Sequence, residues 1–144
     1  DMGAAMKGGV SGHAGLFSNS NDLAKLMQLF LQNGEYAQER YISEEVVNDF
    51  TRCQFPENDN RRGAGFDKAR LKNQEGGPAS DNASEFGFGH SGFTGTLAWA
   101  DPESNLVYIF LSNRIYPHSS NKKLISMNIR TEIMNIIYES LHAR

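Results

Sequence analysis

Apolar positions along this chain change their spacing from helical to alternating and back again. Between Asn19 and Gly34, Leu23, Leu26, Met27, Phe30 and Leu31 recur at helical spacing and predict an amphipathic helix. Asn19 and Asp22 stand three apart at its start, a capping-box-like pair with an acid in place of Glu, and Asn33-Gly34 predicts a left-handed stop. Ser43-Glu44-Glu45 predicts a shorter helix carrying Val46, Val47 and Phe50, with its acids in the first turn where the helix dipole favours them. From Phe86 the spacing shortens. Phe86-Gly87-Phe88-Gly89-His90-Ser91-Gly92-Phe93 alternates aromatic with small residues, and Gly95 to Ala100 predicts a second strand. Asp101 to Asn105 is a turn by composition, and Leu106 to Leu111 is a nearly all-apolar strand, so the pair predicts an antiparallel hairpin. The unbroken apolar run predicts a last strand covered on both faces. Helical spacing returns from about Asn121 to His142, where Ile125, Ile129, Ile133, Ile136, Ile137 and Leu141 form a stripe expected to lie on the sheet.

Two stretches fall outside these regimes. Gly3 to Ser18 is small and glycine-rich around His13 and reads as a loop that packs closely against something. Pro56 to Glu85 is polar and longer than ordinary connections, which predicts an irregular flap or an insertion. Gly63-Ala64-Gly65-Phe66 within it is a candidate short strand. Arg61, Arg62, Lys68, Arg70 and Lys72 among its acids read as a solvated surface. Together these elements predict an α+β fold, an antiparallel β-sheet packed with helices.

Composition narrows the function classes. The 144 residues are enough for one domain, with 39% hydrophobic and 22% charged residues and a mean hydropathy of −0.51. A net charge of −3 argues against a nucleic-acid partner. No apolar run approaches the ~18 residues that a transmembrane segment requires, and no signal-peptide pattern opens the chain. Cys53 is the lone cysteine, so no internal disulfide is expected. Many of the fourteen glycines cluster around His13 and His90.

Gly87-Phe88-Gly89-His90-Ser91-Gly92 has the glycine spacing of a dinucleotide fingerprint, but a strand follows it where that motif needs a helix. No cofactor is therefore expected. Nor is a metal, because His13, His90, His118, His142 and Cys53 are scattered and no two histidines stand at i, i+4. Ser11 approaches a Gly-x-Ser-x-Gly nucleophile elbow, but His13 occupies the last glycine position. What remains is Gly89-His90-Ser91-Gly92-Phe93-Thr94-Gly95-Thr96. A basic side chain and a hydroxyl on such a strand can face a substrate while the glycine lets it approach, and the next amide can point at an oxyanion. Equally, the run can be a glycine-relieved strand whose His90 satisfies one hydrogen bond. The residues alone leave both readings open.

Gly89-His90-Ser91-Gly92, the Trp99-Ala100-Asp101-Pro102 hairpin, the strand ending Ser112-Asn113-Arg114 and a terminal helix resemble the last third of a serine β-lactamase-like domain. That group contains class C β-lactamases, D-alanyl-D-alanine carboxypeptidases and related esterases. Gly12-His13-Ala14-Gly15-Leu16-Phe17-Ser18 with Asp22-Leu23 also resembles the family's loop and helix after its second motif. The resemblance covers the chain from about Gly8 onward. It implies that residues 1–144 form the C-terminal portion of a β-lactamase-like, penicillin-binding-protein-like fold. The family carries Ser-x-x-Lys, Tyr-x-Asn and Lys-Thr-Gly in that order, and His90-Ser91-Gly92 occupies the third position. Phe93 would then offer its backbone amide as an oxyanion donor.

A histidine's ordinary pKa of ~6.5 leaves it mostly neutral at pH 7, so His90 in place of lysine weakens a fixed cation and favours ester or peptide-like substrates over β-lactams. No tyrosine has Asn two residues on. Ser119-Ser120-Asn121-Lys122-Lys123 contains Ser-x-x-Lys spacings, but after the third motif, and Ser119 and Ser120 read as helix caps. The resemblance thus implies a serine hydrolase acting by an acyl-enzyme on an ester, amide or peptide-like, peptidoglycan-derived or other small-molecule substrate. Its nucleophile lies outside these residues, the missing N-terminal part of the same domain is the expected partner, and the expected location is the periplasm or cell envelope. The alternative is a non-catalytic binding or scaffold module that kept the fold. The Gly-His-Ala-Gly-Leu-Phe-Ser run further resembles bacterial envelope proteins in which such a domain follows a glycoside hydrolase family three β-N-acetylhexosaminidase.

Overall fold

The computed structural model describes residues 2–70 and 76–143. Its centre is a four-stranded antiparallel sheet of β3 (Asp67–Lys68), β4 (Phe88–Ser91), β5 (Leu97–Asp101) and β6 (Leu106–Phe110), in that spatial order. Helix α2 (Ser20–Leu31) covers one face and α5 (Ile129–His142) the other. The short elements are α1 (Met2–Met6), a small hairpin of β1 (Glu35–Tyr36) and β2 (Glu39–Arg40), α3 (Glu44–Thr51) and α4 (Lys123–Ser126). The fold is α+β, as the alternating and helical spacings together predict.

Side-chain alternation on β5 and β6 builds two apolar layers. Leu97, Trp99 and Tyr108 pack with Met134 and Tyr138 of α5, while Ala98, Ala100, Val107 and Ile109 face Met27, Phe30 and Leu31 of α2. The last strand is therefore covered on both faces, as its unbroken apolar run predicts. Phe66 links the α2 layer edge-on to Phe30 and Phe88. The α2 start is also as expected: Asn19 Oδ1 accepts from the Asp22 amide at 3.0 Å, and Asn19 Nδ2 donates to Asp22 Oδ2 at 2.7 Å. Ser43 caps α3 through the Val46 amide.

Several expectations change. The glycine-rich start is not all loop, since α1 forms there and buries Ala4. Gly15, at φ +98, backs onto Gly9 and Ala4, where a Cβ would sit 2.8 Å from the Ala4 methyl. The strand expected at residues 63–66 lies just beyond, at Asp67–Lys68. The described residues of the stretch 56–85 hold one 3-10 turn (Pro56–Asn58), β3 and turns whose Ala79 and Ala83 reach the α5 layer. Its basic residues are not all solvated: Lys68 is 6% exposed, and Arg61 pairs with Asp67. Lys72 lies outside the described residues.

The terminal helix is two helices. Asn128 adopts the left-handed conformation, φ 50, between α4 and α5. Ser119 and Ser120 cap neither; the Asn121 carboxamide accepts from the Lys123 amide at 3.1 Å. The buried stripe also differs. Thr131, Met134 and Tyr138 face the sheet, while Ile133, Ile136 and Leu141 stay exposed. Polar anchors set this rotation: Tyr138 Oη donates to Asp101 at 2.6 Å, and Arg130 Nη1 donates to the Gly95 and Thr96 carbonyls. A hydroxyl and a guanidinium with buried acceptors outweigh the exposure of two isoleucines.

Candidate active site

The third-motif candidate sits on β4 and the tight loop that follows it. Gly87 and Gly89 are spaced by two because both lie under the Trp99 indole. A Cβ at Gly87 would come 2.9 Å from Trp99 Cζ2, and one at Gly89 would come 2.7 Å from Cε3 and collide with the Ala98 carbonyl. The glycine alternation is thus room for a buried tryptophan, 0% exposed, rather than a phosphate cradle.

The loop is held from three sides. Gly92 N–H donates to the Thr96 carbonyl at 2.8 Å, and Gly95 N–H donates to the Gly92 carbonyl at 2.9 Å. The Arg114 amide and the Ser112 hydroxyl both donate to the Thr94 carbonyl, and the Arg114 guanidinium lies 4.7 Å from the Phe93 ring centroid. Arg130 holds the far side through Gly95 and Thr96. Gly95 is required here: φ is +98, and a Cβ would meet Ser112 and Leu124.

Pairing of β3 with β4 stops at Asp67 opposite Gly89, so no strand among the described residues covers His90 or Ser91 on that side. His90 is exposed and Ser91 half-buried. Among the described residues, neither the Ser91 hydroxyl nor the Phe93 amide has a hydrogen-bond partner. A free hydroxyl and a free amide two residues apart, on a clamped loop beside an open strand edge, can meet a carbonyl compound.

His90 is engaged at both nitrogens. Nδ1 lies 2.7 Å from the Ser91 carbonyl oxygen and Nε2 lies 3.0 Å from Arg62 Nη1. Arg62 was legible only as one member of a basic run; its place beside His90, twenty-eight residues on, depends on how β3 approaches β4. Arg114 and Arg130 were likewise not singled out, and only the Ser-Asn-Arg run at the end of β6 pointed to the first. Lys68 lies buried beneath this edge, where Nζ donates to the Phe86 carbonyl at 3.1 Å, and burial pushes its ammonium below the ordinary lysine range.

Ser11 Oγ and His13 Nδ1 are 2.7 Å apart in a local, solvent-facing pair. An open concavity of about 290 Å³ lies past the loop, between Ser112–Arg114 and α4, and His90 and Ser91 do not line it. Among the described residues, no group of three or more His, Cys, Asp or Glu side chains is gathered as a metal site, and no helix is long and apolar enough to cross a membrane. The His142 side chain lies outside the described residues.

A family model described as Beta-lactamase matches residues 1–126. Curated proteins of Salmonella paratyphi B, Salmonella newport and Salmonella heidelberg, each named "Putative D-alanyl-D-alanine carboxypeptidase", are 41% identical to the chain over 115 residues. The match covers 78% of this chain and 25% of each relative, so the chain spans about a quarter of their length.

Proposed function

Because the chain belongs to the beta-lactamase family, a group of serine hydrolase-like domains, we propose that it forms the third-motif wall of an acyl-transfer active site. The observation that carries this reading is the free Phe93 amide beside the open edge at His90 and Ser91. In the proposed reaction a serine from the remainder of the domain attacks the substrate carbonyl, the leaving group departs with a proton, and water hydrolyses the acyl-enzyme. The Phe93 amide donates to the developing oxyanion, with the amide of the nucleophile as its partner. The Ser91 hydroxyl orients the substrate, and Gly92 leaves room for it against β4. A Cβ at Gly92 would meet the Thr96 hydroxyl, so a larger residue there requires the Thr96 side chain to turn away.

The substrate class we propose is an ester, amide or peptide-like compound related to the cell wall, in line with the names of the Salmonella relatives. The periplasm or cell envelope is the proposed location, because such substrates are found there. A fluorophosphonate probe applied to the full-length protein tests the hydrolase reading. Labelling of a serine upstream of residue 1 is expected. No labelling, with a folded protein, overturns it in favour of a binding module that kept the fold, and labelling at Ser119 or Ser120 overturns the assignment of the nucleophile.

A further inference from the structure

The charges of this chain are unevenly placed. From Ser104 to Thr131 it carries Arg114, Lys122, Lys123 and Arg130 and no Asp or Glu, although the whole chain is net −3. Phe86 to Ala100, which supplies the neighbouring β4–β5 loop, also lacks acids. Asp101 and Glu103 separate the two stretches at the far end of β5, and Asp101 is buried. Ion pairing follows the same division. Among the described residues, Lys25, Arg40, Arg52, Arg61, Arg62 and Arg70 each reach a carboxylate, whereas Arg114, Lys122 and Lys123 reach none.

Lys122 and Lys123 stand where the segment after β6 enters α4, and every residue from Tyr116 to Lys123 is exposed. Backbone groups and one carboxamide hold this turn. The Asn121 carboxamide accepts from the Lys123 amide at 3.1 Å, and the Lys122 carbonyl accepts from the Ile125 and Ser126 amides at 3.0 and 2.8 Å. The two ammonium groups therefore have no structural task among the described residues. An open concavity of about 440 Å³ lies among Tyr116, His118, Lys122 and Lys123. It shares Asn121 and Lys123 with the concavity beside Arg114, where Leu124 and Met127 also lie. Apolar groups are thus interleaved with the cations, and Tyr116 and Met127 are 78% and 60% exposed.

A soluble polyanion would satisfy the lysines and leave the phenol ring and the thioether in water. The surface of an anionic bilayer takes both kinds of group. Its headgroup phosphates attract ammonium ions, and the boundary of its acyl chains accepts amphipathic rings and apolar side chains, while lysine stems lie along it. We propose that the surface formed by residues 116–127 docks on an anionic phospholipid bilayer, with Lys122 and Lys123 at the headgroups and Tyr116 and Met127 at the acyl boundary. This docking goes beyond the hydrolase reading and does not depend on it.

The test is cosedimentation of the full-length protein with vesicles of phosphatidylcholine alone or mixed with phosphatidylglycerol in equal parts. Tighter binding to the mixed vesicles is expected. The double variant Lys122→Gln/Lys123→Gln should weaken that binding about 10- to 30-fold, the effect of two basic groups at an anionic surface. Tyr116→Ser/Met127→Ser should weaken it as well, and raising salt from about 50 to about 300 mM should weaken the wild type more than the lysine variant. Lys25→Gln/Arg52→Gln removes the same charge from paired positions elsewhere and should leave binding unchanged. Equal losses in the two charge variants, or equal binding by wild type and the lysine variant, overturn the proposal. Loss in the lysine variant with none in Tyr116→Ser/Met127→Ser, together with lysine-dependent binding to soluble dextran sulfate, overturns it in favour of a soluble polyanion.

Discussion

Asp101 and Asp67 are both buried carboxylates on the same sheet, 0% and 4% exposed, and they are satisfied in opposite ways. Among the described residues, Asp101 has no cation as a hydrogen-bond partner. Its oxygens accept from the Ser84 hydroxyl and amide, the Tyr138 hydroxyl and the Glu103 and Ser104 amides. Burial alone would push its carboxyl up, but these donors outweigh it and hold the group below the usual carboxylate range. Asp67 is held by arginine, and its second guanidinium leans on His90. Neutral donors around Asp101 knit β5, the 80–86 turns and α5 into one body. Around Asp67 two guanidiniums converge beside an open strand edge. The difference separates a region built for stability from one whose chemistry points outward.

That separation makes graded predictions. Truncating Trp99, which fills the space over Gly87 and Gly89, should have the largest effect: Trp99→Ala is expected to cost about 3–5 kcal/mol in urea unfolding of the full-length protein. Asp101→Asn comes next. It places an amide donor among hydrogen-bond donors and should cost about 2–3 kcal/mol, whereas Tyr138→Phe, which removes one donor and leaves the others, should cost about 1–2 kcal/mol. If Asp101→Asn proved no costlier than a surface change, the contrast between the two carboxylates would be lost.

The pH dependence sharpens the same contrast. Asp101 is depressed, so its contribution is complete above about pH 4 and disappears as pH falls through its folded value. Burial first, and then its bond to Asp101, raise the Tyr138 phenol, so its contribution is complete below about pH 10 and is lost on further rise. These two groups should therefore add no slope to the melting temperature between those limits and should lower it outside them. In Tyr138→Phe the alkaline fall should shrink. The smallest effect belongs to the open edge: Arg62→Gln should change stability by no more than about 0.5 kcal/mol, because its side chain is half exposed and the pair partner Asp67 keeps Arg61. A loss above about 2 kcal/mol would mean that this edge, too, is built for stability.

Local signals were legible where a single element decides the outcome. The Asn19 cap, the Asn33-Gly34 stop, the Ser43 start and the β5–β6 hairpin all depend on residues within a few positions of one another. Candidate chemistry was legible in the same way on β4, where the histidine, the serine and the glycine are consecutive. The errors fall where distant residues decide. Six apolar residues at helical spacing could not report that Asn128 would break the helix, nor that Tyr138 and Arg130 would seek acceptors on Asp101 and the 92–96 loop. A basic run could not show that Lys68 is buried or that Arg62 reaches His90.

The sequence by itself therefore determined the α+β class, the sheet's hairpin, the glycine-lined strand and the resemblance of its motif to a serine hydrolase wall. Each of these is written in spacing or in consecutive residues. Only the tertiary structure decided which face of α5 is buried, why Gly87 and Gly89 are glycines, and which side chain carries the charge beside His90. The physical reason is that hydrogen-bond partners and ion pairs are chosen by proximity in space. Twenty-eight residues separate Arg62 from His90 along the chain, and the approach of β3 to β4 reduces that separation to one hydrogen bond.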